Sequence, residues 1–104
     1  MSQLETHLVN DIRSKLIKKG ANVIKLHGSS FSRIGEPDLI GCYRGKFFAI
    51  EVKIDHNKLS EIQKYRLNQW KRTGAYVGVA RSIDDALMIV LQGRLINGHE
   101  FLPN

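Results

Sequence analysis

The chain has 104 residues, the length of one domain (1–104), and its 42% apolar share is that of a globular protein rather than a disordered one. Sixteen Lys and Arg against ten Asp and Glu leave a net charge of +6, which favours polyanionic partners, nucleic acid foremost. Its one cysteine, Cys42, excludes an internal disulfide. With no apolar run able to span a bilayer and a polar start, MSQLETHL, that lacks a signal-peptide core, a soluble cytoplasmic protein with no membrane partner is expected.

From Gln3 to Lys19, Leu4, Leu8, Ile12 and Leu16 recur at helical spacing, with Val9 and Ile17 widening the stripe. Gly20 closes this helix as a left-handed cap. ANVIKL follows as a strand, and HGSSFSRIG has the composition of a loop. The segment from Asp38 to Lys53 reads as two apolar strands around an Arg44-Gly45 turn. DHNKLSEIQ leads into a second helix, Ser60 to Thr73, which opens on a Ser60/Gln63 capping box and closes at Gly74. AYVGVA is a further strand, and Ser82 caps a third helix whose positive end suits Asp84 and Asp85. The tail from 93 to 104 is ambiguous. The order is αβββαβα, and apolar residues on both faces of the hairpin imply helices on both, an α/β sandwich.

Charges inside the hairpin raise the functional question. With Arg44-Gly45 as the turn, Tyr43 opposes Lys46, and the same register sets Asp38 opposite Glu51. Lys53 lies on the face of Glu51. Opposed like charges destabilise a strand pair, and burial increases the repulsion, so a positive group is expected between them. Lys53 supplies part of it. A divalent cation does so better, because two carboxylates, a main-chain carbonyl and waters are the hard oxygen ligands magnesium (Mg2+) prefers. A Glu51–Lys53 salt bridge on an exposed edge is the alternative, opposed by Phe47, Phe48, Ile50 and Val52. Glu5 lines up with Leu8, Ile12 and Leu16, though its first-turn position also suits the helix dipole. Gln63 points inward between Leu59, Leu67 and Trp70, though capping alone also explains it. The four histidines show no ligand spacing.

GEPDL followed by EVK, with a glutamate on the preceding helix, resembles the PD-(D/E)XK nuclease superfamily. The closer spelling G-x-P-D-L, then E-V-K, then the serine and glutamine of LSEIQ, is similar to the VRR-NUC family. Its short stand-alone members are phage and bacterial proteins, similar in fold to archaeal Holliday junction resolvases. The resemblance covers about Leu4 to Asp85 and implies a restriction-endonuclease-like αβββαβ core, a mixed central sheet flanked by helices.

The same resemblance implies a magnesium-dependent DNA endonuclease, with manganese as a substitute. Asp38, Glu51 and the Val52 carbonyl would hold the metal, Glu5 through a water. Lys53 would position or deprotonate the attacking water, or stabilise charge at phosphorus, and Gln63 would orient Lys53 or the nucleophile. Glu36 receives no role. Branched DNA such as a four-way junction is the substrate expected, and paired cuts in it call for a homodimer. Apolar residues of the tail (Leu95, Ile96, Phe101, Leu102) or of the third helix could form its interface. A flap, nicking or single-strand nuclease, or a non-catalytic DNA-binding module of the same fold, are the rival readings. DNA-backbone contacts are expected from Lys25, His27, Ser29, Ser30, Ser32 and Arg33. Lys64, Arg66 and Lys71 on the second helix are weaker candidates, because a solvated basic face explains them equally.

Overall fold

The computed structural model describes residues 2–26 and 33–92. His27, Ser29, Ser30 and Ser32, and the tail residues proposed for an interface, lie outside them. The elements are α1 (Gln3–Lys18), β1 (Asn22–Lys25), β2 (Leu39–Tyr43), β3 (Lys46–Val52), α2 (Glu61–Arg72), β4 (Tyr76–Ala80) and α3 (Ile83–Gln92). The strands form one sheet in the order β1-β2-β3-β4. The first three run antiparallel; β4 joins β3 in parallel, with α2 as the crossover. This is the mixed sheet with flanking helices that the sequence led us to expect.

The hairpin turn decides the register. Arg44 and Gly45 take φ of 49° and 82°, the two positive values a type I′ turn demands, and Tyr43 pairs with Lys46 as expected. Gly41, on β2, permits a close crossing: a β-carbon there would overlap the Asn22 carbonyl oxygen of β1 and come 2.7 Å from Phe48 Cζ.

On one face of the sheet, Phe48, Ile50 and Val52 of β3 pack with Val9, Ile12 and Leu16 of α1 and with Ala86, Ile89 and Val90 of α3. On the other, Ala49 and Val77 pack with Leu67 of α2, and Trp70 stacks on Phe47 with ring centres 5.1 Å apart.

Two expectations need adjusting. The apolar stripe read on α1 holds along its middle, where Val9, Ile12 and Leu16 are buried and Leu8 packs against the core, but at its ends Leu4 is 69% and Ile17 47% exposed. Half-buried Glu5 lies one turn before Val9 and heads this stripe. Helices cover both faces of the sheet as expected, but on one face the cover is incomplete. As a crossover, α2 lies over the strands it joins, β3 and β4. Over β1 and β2, on that side, Ile24 is 52% exposed and a shallow cleft opens, lined by Asn22, Ile40, Cys42 and Phe47.

Candidate functional site

Asp38 stands just before β2, and 4% of it is exposed. Its main-chain carbonyl accepts the Leu26 N–H at 2.9 Å, while its Oδ2 accepts the Val52 N–H across the hairpin, also at 2.9 Å. Leu39 pairs with Ile50, so one further step of the ladder sets Asp38 beside Glu51, which is 3% exposed. Lys53 follows β3 and extends its pairing to β4 by donating its N–H to the Ala80 carbonyl at 3.1 Å. Its Nζ stands 3.6 Å from Glu51 Oε2, within ion-pair range and too far for a hydrogen bond.

Gln63 both caps α2 and points inward. Its N–H donates to Ser60 Oγ and its Oε1 accepts the Ser60 N–H at 2.9 Å, completing the capping box. That fixes which end of the amide is NH2, and this end donates to Glu51 Oε2 at 3.1 Å. The start of α2 is thereby fastened to the carboxylate at the end of β3.

Burial pushes the Glu51 carboxyl from 4.5 up to about 8, with the charge of Asp38 adding to the rise and that of Glu5 adding less; Lys53 opposes it. The second oxygen, Oε1, is buried and has no hydrogen-bond partner. A buried carboxylate oxygen left unpaired costs stability, and a cation is the partner that both the oxygen and the local field favour. Among the described residues, no group of three or more His, Cys, Asp or Glu is placed to hold a metal ion. The donors on hand are two carboxylates, hard oxygen ligands suited to an ion that keeps several waters. The residues therefore fit magnesium or manganese better than zinc.

Of the expected backbone-contact residues that are described, Lys25 is exposed at the end of the edge strand β1. Lys64 pairs with Glu61 at 3.0 Å on the surface. Arg66 donates its Nε–H to the Ile34 carbonyl at 3.0 Å and an Nη–H to Gln69. Arg33 donates to Glu36 at 2.8 Å, and the other oxygen of Glu36 accepts the Trp70 indole N–H at 3.0 Å. Sequence reasoning missed this Glu36–Trp70 tie, which joins the GEPD segment to α2. An inward tryptophan needing an acceptor for its N–H was the available signal.

No family model matches the chain, and no curated protein matches it significantly. Solved structures do. A VRR_NUC domain superposes with a TM-score of 0.71 at 25% identity, covering 88% of this chain and 98% of that one. Hjc from Archaeoglobus fulgidus, a Holliday junction resolvase from an archaeal hyperthermophile, superposes with a TM-score of 0.58 at 27% identity, over 74% of this chain and 67% of that one.

Proposed function

The chain is a relative of the VRR-NUC family, and on that footing we propose that it is a divalent-metal-dependent endonuclease hydrolysing phosphodiester bonds in branched DNA. The observation that carries the proposal is the buried Asp38–Glu51 pair, with an unpartnered Glu51 oxygen and a lysine at its edge. Asp38, Glu51 and the main-chain carbonyl of Val52 would hold the ion, and Glu5 would act on it through a water. When bound, the ion acidifies a water and offsets charge at the scissile phosphate.

The protein's own groups do the rest. Gln63 fixes the Glu51 carboxylate, so that the acid cannot turn toward solvent when the ion leaves. The Val52 N–H does the same for Asp38. Lys53 brings positive charge to the edge of the acid pair, where it can orient the attacking water and stabilise the five-coordinate phosphorus. The net charge of +6 draws the polyanion in. Preference for branched DNA comes from the likeness to Hjc, and paired cuts in a junction would require two copies of the chain acting together.

The test is cleavage with magnesium, then manganese, of matched four-way junction, flap, linear duplex and single-stranded DNA. Asp38→Ala and Lys53→Ala are expected to abolish turnover on the preferred substrate, while Lys53→Ala leaves DNA binding largely intact. Cutting confined to single strands would replace the substrate class. Cutting that survives Asp38→Ala would remove this site from the reaction, and no cutting at all would favour a DNA-binding module.

A further inference from the structure

We propose that Ile34, backed by Ile62 and Tyr65, forms a fixed apolar wedge that meets an unstacked base where a DNA duplex branches; the inference rests on the nuclease reading above. Ile34 is 81% exposed, more than any other large hydrophobic residue described. A lone exposed isoleucine needs no explanation. This one is held from below at successive positions. Its carbonyl accepts the Arg66 Nε–H at 3.0 Å. Gly35, at φ 83°, sits so close to α2 that a β-carbon would come 2.7 Å from Ile62 Cγ1. Glu36 then divides its oxygens between Trp70 and Arg33, with 8% of its side chain exposed. A fixed backbone beneath a fully presented apolar side chain is how a binding anchor avoids an ordering cost on contact.

The neighbours indicate the occupant. Ile62, 38% exposed, and Tyr65, 53% exposed, continue the apolar surface along α2. The Arg66 guanidinium lies 5.4 Å from the centre of the Tyr65 ring, and half of the side chain of Arg33, the residue before Ile34, is exposed. Aromatic and aliphatic faces interleaved with guanidinium groups suit a nucleobase flanked by phosphates. The net charge of +6 favours a polyanion as the occupant over a protein surface.

The ridge also borders the acid pair. Ile62 directly precedes Gln63, whose amide reaches Glu51, and Ile34 lies in the segment that leads into Asp38. Intact duplex hides its base faces in the stack, whereas a branch point exposes them. The wedge would thus favour a DNA shape without reading a sequence.

The test compares wild type, Ile34→Ser and Tyr65→Ala on a four-way junction carrying 2-aminopurine at the branch and on matched linear duplex. Both side chains are exposed, so thermal melting is expected to be unchanged. Wild type should raise the 2-aminopurine fluorescence. Each variant should lose that rise and about tenfold of the branch-over-duplex affinity, with duplex binding altered by less than about twofold. Retained fluorescence change and preference in both variants, with Asp38-dependent cutting intact, would overturn the wedge and leave the nuclease reading standing. Absence of Asp38-dependent cutting of any substrate would overturn both.

Discussion

Glu51 connects the chemistry of the site to the stability of the fold. Its carboxyl is raised from 4.5 to about 8 by burial and by Asp38, so on this group's account the folded protein holds a proton that the unfolded chain releases. A raised carboxyl contributes stability that is complete below pH 4.5 and is lost as pH rises through about 8. Metal-free wild type should therefore lose on the order of a few kcal/mol between about pH 5 and pH 8.5, a loss that Glu51→Gln lacks. Urea unfolding across that range checks it. Parallel pH profiles for the two proteins would show that Glu51 is not the titrating group. Added magnesium should flatten the wild-type slope, because a bound cation takes the place of the proton. An acid inside an apolar run marks this residue out in the sequence. The sequence could not disclose that the Gln63 amide divides itself between the cap of α2 and Glu51, since either role alone accounts for the spacing.

At the scale of elements, the hairpin was the most legible part. An Arg-Gly turn with two positive φ values and strict alternation leave one register, and that register carries Asp38 to Glu51. Helix α1 was legible along its middle but not at its ends, where Leu4 and Ile17 are apolar and yet exposed. The open side of β1 and β2 was not legible, because coverage depends on which strands a crossover helix joins rather than on the hydropathy of each strand. Gly41 was read only as strand. Gly41→Ala must displace both the Asn22 carbonyl and the Phe48 ring, and a loss of about 1–3 kcal/mol is expected by urea denaturation. Neighbouring Cys42→Ala, on the exposed side, should stay within about 0.5 kcal/mol. A neutral Gly41→Ala would mean that β1 and β2 are not as closely apposed as described.

Across the whole molecule, one sheet end gathers residues from α1, the hairpin and α2, and this gathering is what a linear motif cannot display. Asp38, Glu51 and Lys53 could be joined on paper by a single hairpin. The ties from Trp70 to Glu36 and from Arg66 to Ile34 span more than thirty residues each and follow from how α2 docks. They hold the GEPD segment against the helix that also carries Gln63. The acid pair is therefore braced from both sides, by β3 through Val52 and by α2 through Gln63, Arg66 and Trp70. Such bracing holds the two carboxyl groups adjacent.

The most direct measurement is isothermal calorimetry of manganese binding at about pH 7 in two buffers of different ionisation enthalpy, for wild type and Glu51→Gln. A cation seated between Asp38 and Glu51 must displace the proton that Glu51 holds up to about pH 8. Wild type is expected to bind and release close to one proton, and Glu51→Gln to lose both the tight binding and the release. Equal binding by the two proteins, or binding without proton release, would contradict a metal site built on this acid pair.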